Sequence, residues 1–493
     1  MNEKKLSRPL ISLIVSIALI IVGIAGSFIL QTNSGKTTIR NVTIESESGH
    51  TLAMDVYIPE NATAETPAPA IFVQHGGNNN KEEMQHYCIE LARRGYVAIG
   101  VDMYGMGESE PLPDSEWLTQ GRGLYDAVRY GVTLPYVDTD RVSLLGYSRG
   151  GKAAGEALQC DNDSLNVVKA IFLIHSDPIV RNSEGYTDVY GARDVAVLAD
   201  KNDEFFFSEK ANDNGTYSND ANKYAANLSS PAEYVINNSA QSFLYFGIDP
   251  ATTSEQRVAE TVYEQDYGGK TGSRQIFVSN ETHMAGWWSP LVMNRVLTFF
   301  NRVMPTGTAL SASSYTYTIW NIFKIIALSG LLFALAMALS FIEGTLVIPG
   351  LLPGMKLGLA NIVVMYALFF MGPRQALVLG VLKALVVFLV SGWTAGFLSL
   401  CGGLLSLLVM WVLYYKLPFR PTWFILSVCG ALAHNVGQLL GAGVIISSSL
   451  SLYYAPVMLV LGLVMGALTS VTLRALLPAL GKMGFNTHEN RPE

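Results

Sequence analysis

Cysteine is scarce in this chain. Its 493 residues hold four, Cys88, Cys160, Cys401 and Cys429, with no CxxC spacing among them. That excludes a thiolate metal site and a disulfide scaffold. Cys88 and Cys160 lie in stretches that read as helix and are expected to be small buried apolar residues. Basic stripes are missing too. With a formal net charge of −7, nothing is present to neutralise a phosphate backbone, and nucleic-acid partners are excluded. Charge is also unevenly placed. Most acidic residues fall between Glu45 and Glu281, whereas Thr318 to Leu480 is mostly apolar. A mean hydropathy of +0.29 is therefore the average of an aqueous domain and a membrane domain, and it describes neither.

The pattern along the chain divides it further. Leu10 to Leu30 is an apolar run without a charge, preceded by Lys4, Lys5 and Arg8. That is long enough to span a bilayer, and an uncleaved anchor is preferred over a cleaved signal peptide. From about Thr37 to Met304 continuous apolar strands alternate with helical spacing: AIFV at Ala70–Val73, a helix over Lys81–Arg94, YVAIGV at Tyr96–Val101, a helix near Gly123–Tyr130 and a strand at Val142–Leu145. Strands of this kind predict a mostly parallel sheet with helices on both faces. Asp200–Ser239, rich in Asn, Asp, Ser and Tyr, reads as an insertion or cap. The boundaries expected are 1–36 for tail and anchor, 37–304 for the α/β domain, 305–317 for a linker, 318–480 for a six-helix membrane domain and 481–493 for a polar tail.

The most specific signal is Gly146-Tyr147-Ser148-Arg149-Gly150, placed between strand VSLL and the helical stretch GKAAGEAL. A tight strand–turn–helix needs small residues around the serine and leaves its hydroxyl exposed, with the Arg149 N–H at the helix start facing a developing oxyanion. His75-Gly76-Gly77-Asn78 follows strand AIFV and offers a second donor, from Gly77 or Asn78. Asp102-Met103-Tyr104-Gly105-Met106-Gly107-Glu108-Ser109 forms a third turn at a strand end. On these three motifs together, Thr37 to Met304 resembles the α/β-hydrolase superfamily. The resemblance implies the chain order nucleophile, acid, histidine. His283, after strand QIFVS, occupies the histidine's place; His175, ending AIFLIH, reads as structural, and His488 lies in the tail. Three carboxylates remain open for the acid, preferred in the order Asp203, after DVAVL; Asp249, after an expected strand SFLYF; and Asp177. The implied chemistry is attack by Ser148 on an ester, thioester or amide carbonyl, with no metal or other cofactor.

The apolar C-terminal region carries six segments: Thr318–Phe341, Leu357–Met371, Ala376–Ser391, Ala395–Tyr415, Thr422–Ile446 and Tyr453–Leu477. With the anchor they make about seven transmembrane helices in an integral cell-membrane protein. Gly344–Gly358 is too short to span and reads as a re-entrant or capping loop. Glu343, Lys356, Asn361, Lys383, His434, Asn435 and Gln438 are polar residues in or beside these segments, where they are costly. His434 and Gln438 share one helical face. The stretches ALSFIEGTLVIPGLLPGMKLGLANIVV, GGLLSLLVMW and GALAHNVGQLL resemble the Gx transporter family. That family is also labelled heptaprenyl diphosphate synthase component I and is similar to the S components of energy-coupling-factor transporters. The resemblance implies a polytopic all-α module that takes a small molecule near Glu343, Asn361, His434 and Gln438, and energising transporter subunits as partners. Lys383 stands where arginine is expected. Prenyl-chain synthesis itself is excluded, because no DDxxD-type cluster is present to hold Mg²⁺ against a diphosphate.

Two rules of topology conflict. Lys4, Lys5 and Arg8 place the N-terminus inside and the hydrolase outside. Arg302, Arg374, Lys416, Arg420, Arg474 and Lys482 collect on the hydrolase's side and favour the cytoplasm. First helices usually dominate, which leans the hydrolase outward. The function expected is a membrane-anchored serine hydrolase acting on an acyl substrate, fused to a transporter-like module. The rival is a transporter or binding protein whose hydrolase-fold domain is a non-catalytic receptor.

Overall fold

The computed structural model describes residues 8–46, 49–112, 119–203, 231–345, 360–391, 393–416, 421–446, 455–456, 458–460, 462–471 and 474. The chain forms two compact units, Phe28–Trp320 and Met1–Ser27 with Asn321–Glu493.

Helix α1 (Arg8–Gln31) enters the first of these at its C-terminal end. There follow β1 (Thr37–Glu45), β2 (Thr51–Pro59), β3 (Ala68–Gln74), α2 (Gln85–Ala92), β4 (Val97–Val101), α3 (Leu124–Gly131), β5 (Val137–Tyr147), α4 (Arg149–Asn162) and β6 (Val168–Ile174). A small hairpin, β7 (Arg181–Asn182) and β8 (Gly185–Tyr186), precedes β9 (Asp194–Asp200), α5 (Asn238–Leu244), β10 (Tyr263–Asp266), β11 (Thr271–Ser279), α6 (His283–Gly286) and α7 (Pro290–Val303). Nine strands make one sheet in the order β1-β2-β4-β3-β5-β6-β9-β11-β10. The five pairings from β4 through β3, β5, β6 and β9 to β11 are parallel. The edges are antiparallel.

Alternation along each strand explains the apolar runs. Ala70 and Phe72 enter one core with Leu124, Ala154 and Leu158, while Ile71 and Val73 enter the opposite core with Tyr87, Leu297 and Phe300. A strand buried on both faces has no polar side to show, so it reads as continuous rather than alternating. This is the mixed, mostly parallel sheet of an α/β hydrolase. One expected strand is corrected: SFLYF ends helix α5. Ala240, Phe243 and Leu244, spaced for a helix, are buried. The Asn237 side chain caps the helix by accepting from the Ala240 N–H at 2.7 Å. Most of the expected insertion, 204–230, lies outside the described residues.

The stretch expected as a linker is docked on this unit. Glu90, buried on α2, accepts from the Thr316 N–H at 2.6 Å and the Tyr317 N–H at 3.0 Å. Arg94 bonds Glu90 at 3.0 Å and the carbonyls of Ser311 and Ser314 at 2.7 and 2.8 Å. A carboxylate at the first turn of the following helix also suits the helix dipole.

That helix is α8 (Tyr317–Thr345), followed by α9 (Ala360–Tyr366), a π turn at Ala367–Met371, α10 (Pro373–Ser391), α11 (Trp393–Tyr415) and α12 (Trp423–Ile446). Among the described residues three helices are long and apolar enough to cross a membrane: Ile14–Gln31, Gly396–Tyr415 and Trp423–Ile445. Small residues set their packing. A Cβ on Gly437 would meet the Cys401 carbonyl at 2.5 Å, so α11 and α12 cross at backbone distance. Gly23 lies as close to Ala327, which seats the anchor on α8. Residues 346–359, which include Lys356 and most of the expected Gly344–Gly358 re-entrant or capping stretch, lie outside the described residues.

Removing Glu90 leaves the fully buried Arg94 uncompensated. Glu90→Ala is expected to cost about 3–5 kcal/mol, read as a lowered unfolding temperature and faster proteolysis within 305–317. An unfolding curve and digestion pattern identical to the parent's would contradict the clamp.

Candidate active site

Ser148 sits between β5 and α4 at φ 53°, ψ −115°, a conformation that costs an L-residue on the order of 1–3 kcal/mol. Its N–H donates to the Ile174 carbonyl at 2.7 Å, so the turn is tied to the neighbouring strand end. The surrounding glycines are required by contact. A Cβ on Gly146 would meet the Gly150 carbonyl oxygen at 2.2 Å, one on Gly150 the Gln74 oxygen at 2.4 Å, and one on Gly151 the Ser176 Cβ at 2.3 Å.

Three distant segments converge on this serine. Nε2 of His283, the first residue of α6, lies 3.0 Å from Ser148 Oγ. Its Nδ1 lies 2.8 and 3.0 Å from the two oxygens of Asp203, which is fully buried just beyond β9. Both ring nitrogens are thereby used, and neither is left for Asp249 or Asp177. Asp249 is exposed and caps a short 3-10 turn by accepting from the Ala251 N–H at 3.0 Å.

The His75–Asn78 turn lies beside the serine, with the Cβ position of Gly76 3.7 Å from Ser148 Cβ. Gly77, Ser148 and Arg149 are half-buried and Asn78 is exposed at φ 59°. The Arg149 guanidinium packs over Gly77, whose Cβ position is 3.1 Å from Nε. His75 anchors the turn from below: Nδ1 donates to the Gly76 carbonyl at 2.7 Å and Nε2 accepts the Met103 N–H at 3.0 Å. That arrangement requires a neutral ring, and burial accordingly pulls its pKa down to about 4. The third motif braces the second. Asp102 accepts from the Lys81 N–H, the Lys81 Nζ and the Glu108 N–H at 2.6, 2.9 and 3.0 Å, and a Cβ on Gly107 would collide with its carboxylate at 2.3 Å.

Sequence reasoning missed two features. Glu83 is buried under the Gly76 turn, and His175 and Asp200 form a second buried pair beside His283; neither has a motif to announce it. His175, Asp203 and His283 each offer a donor atom within 4.8 Å of the others. Closing these three on a metal would take Asp203 away from His283. In the other unit, a cavity of about 20 Å³ is lined by Lys383, Ser399, Ser406 and His434. Gln438 lies one turn from His434 and packs with it against Gly402. The side chains of Glu343 and Asn361 lie outside the described residues.

Glu83 gives the turn a pH signature. Burial pushes its carboxyl from an ordinary 4.5 up to about 9, against a Gly76 N–H that lowers it. A folded-state pKa above the unfolded value gives stability that is complete below about pH 4.5 and lost as pH rises through 9. His75, depressed from 6.5 to about 4, acts oppositely: its contribution is present above 6.5 and lost as pH falls through 4. Glu83→Gln is therefore expected to raise the unfolding temperature at pH 9 and to lose that advantage near pH 4. An equal difference at both values would contradict the buried neutral carboxyl.

Comparison with known proteins places these features in families. Residues 48–315 match the X-Pro dipeptidyl-peptidase (S15) family, and residues 332–476 match heptaprenyl diphosphate synthase component I. The uncharacterized protein PA2218 of Pseudomonas aeruginosa is 30% identical over 159 residues, which are 31% of this chain and 42% of that protein. The chain thus spans less than half the length of this curated relative. The crystal structure of the hypothetical protein PA2218 aligns at 14% identity and a TM-score of 0.35, covering 55% of this chain and 95% of that one. A mutant epoxide hydrolase of Vigna radiata aligns at 20% identity and a TM-score of 0.24, covering 30% and 41%. The chain belongs to the X-Pro dipeptidyl-peptidase (S15) family through residues 48–315, more than half its length, and carries a heptaprenyl diphosphate synthase component I domain at residues 332–476.

Proposed function

We propose that this chain is a membrane-anchored serine hydrolase in which Ser148, His283 and Asp203 are the reacting triad. The observation that carries the reading is the unbroken line from Ser148 Oγ through both nitrogens of His283 to Asp203. Ser148 Oγ attacks an acyl carbonyl while its proton passes to His283 Nε2. Asp203 holds the proton on Nδ1, which keeps Nε2 free to accept, and it stabilises the imidazolium that forms. The carbonyl oxygen, now negative, faces the N–H of Arg149 and that of Gly77 or Asn78. Collapse expels the alcohol or amine, which takes the proton back from His283. Water then repeats the sequence on the acyl-enzyme.

The substrate class divides into two readings. Carboxylester or related acyl hydrolysis needs nothing beyond this machinery. Cleavage of an X-Pro dipeptide from a peptide amino terminus is the reading favoured by the S15 family match. In either case the C-terminal domain is proposed as a transporter-like module within a total of about seven transmembrane helices. It resembles an energy-coupling-factor S component, takes a small molecule near His434 and Gln438, and has energising subunits as partners. The hydrolase is placed on the extracytoplasmic side. The 37–304 and 318–480 boundaries are part of this proposal. Prenyl-chain synthesis is not, since the chain lacks the aspartate cluster it needs.

Turnover of short-chain nitrophenyl esters and of an alanyl-prolyl anilide by the full-length protein separates the two classes. Ser148→Ala is expected to lower kcat by at least about 10⁴-fold on whichever is turned over. Turnover of neither substrate by the parent protein, with uptake unaffected by Ser148→Ala, would favour a non-catalytic receptor domain.

A further inference from the structure

Immediately beneath the Ser148–His283–Asp203 line runs a second row of polar side chains, one from each of four neighbouring strand ends. Tyr147 closes β5, His175 follows β6, Asp200 closes β9 and Ser279 closes β11, and these strands are adjacent in that order. Pairing of Tyr147 with Ile174, and of Asp200 with Ser279, holds the four ends level.

The row is held by hydrogen bonds at both ends and by one close contact in the middle. The Tyr147 hydroxyl donates to the main-chain carbonyl of His283 and lies 3.3 Å from His175 Nδ1. His175 Nε2 meets Asp200 Oδ2 at 2.5 Å, with both side chains fully buried. The approach is off the hydrogen-bond line, and neither atom has a hydrogen-bond partner among the described residues. The Ser279 hydroxyl donates to Asp200 Oδ1 and accepts the Glu281 N–H at 3.3 Å.

Counting donors fixes the direction of the row. Tyr147 has one proton, and burial pushes its hydroxyl pKa far up, so it keeps that proton. A carbonyl can only accept, so the proton points to His283. His175 Nδ1 must then donate to the phenol oxygen, and a further proton lies between Nε2 and Asp200. Each donor polarises the next toward the His283 carbonyl. Space is matched as tightly. Gly286 ends the turn that begins at His283, and a Cβ there would lie 2.2 Å from His175 Cε1 and 2.6 Å from Asp200 Oδ2. The histidine rings are 5.0 Å apart.

We propose that Tyr147, His175 and Asp200 are positioning residues, a buried relay that fixes the main chain of His283 and so keeps its imidazole against Ser148. The relay touches neither substrate nor the reacting atoms. It rests on the reading of Ser148, His283 and Asp203 as the reacting groups. Holding a base at reacting distance is worth large factors, since a shift near 1 Å costs about a hundred-fold in rate.

The test uses the full-length protein in detergent, hydrolysing whichever of the nitrophenyl ester and the alanyl-prolyl anilide it turns over. Tyr147→Phe removes one oxygen and no packing volume. It is expected to lower kcat by about ten- to a hundred-fold with KM within about two-fold of the parent, and to leave the unfolding temperature near the parental value. Asp200→Asn is expected to do the same to kcat. The double variant should lose no more than the worse single, because both cut one chain. A downfield proton resonance from the His175–Asp200 contact should persist in Ser148→Ala and disappear in Asp200→Asn. Parental kcat in Tyr147→Phe would overturn the relay, as would losses that multiply in the double variant or that follow the unfolding temperature alone. Ser148→Ala separates the two levels. If it retains turnover the triad reading fails, and if it is dead while Tyr147→Phe is parental only the relay fails.

Discussion

The geometry of Ser148 is the constraint on which the rest of the hydrolase unit turns. A serine at φ 53°, ψ −115° relaxes unless its surroundings forbid it, and here they do. Its N–H is spent on Ile174, one strand over. The chain before it is locked into β5, and the chain after it into α4, whose Ala153, Ala154, Ala157 and Leu158 are buried. Burying a side chain the size of leucine contributes about 1.5–3 kcal/mol, so a few such contacts offset the local strain. The elbow is therefore a consequence of the sheet and helix meeting, and the glycines at 146, 150 and 151 permit the approach.

From that fixed point the parallel sheet organises the site. Neighbouring strand ends lie level, so residues far apart in sequence arrive within hydrogen-bonding reach: Ser148 after β5, Asp203 after β9 and His283 after β11. The loops leaving these ends carry the reacting side chains upward. The last residues of the strands stay buried beneath, and there the Tyr147 hydroxyl bonds the His283 carbonyl while His175 bridges Tyr147 and the Asp200 carboxylate. The Asp102–Lys81 and His75 contacts do the same work under the Gly76–Gly77 turn.

How far the sequence alone could go depended on whether a feature was local. Ser148, the His75–Asn78 turn and the Asp102–Ser109 turn are each contiguous in sequence, and they were legible. His283 and Asp203 were legible from strand-end position, but choosing Asp203 over Asp249 took three-dimensional information. The SFLYF segment misled because its residues have high strand propensity, while an Asn cap and the 3-4 spacing of Ala240, Phe243 and Leu244 made it a helix. His175 was read as structural because nothing adjacent in sequence shows Asp200 or Tyr147 beside it. Glu90 and Arg94, which pin the 305–317 stretch, lie more than two hundred residues from the carbonyls and N–H groups they bind.

In the C-terminal helical unit composition predicted more than position. Apolar length identified the three helices that are long enough to cross a membrane among the described residues, and small residues such as Gly23, Gly402 and Gly437 account for close packing between helices. The polar residues His434 and Gln438 share a face as their spacing required, and Lys383 lines the same small cavity as His434. The central claim, however, concerns Ser148, and its most direct measurement is peptide mapping by mass spectrometry of the full-length protein after reaction with a fluorophosphonate. One covalent adduct on Ser148 is expected, formed in the folded protein and absent after denaturation. No adduct, or an adduct confined to another residue, would contradict Ser148 as the nucleophile.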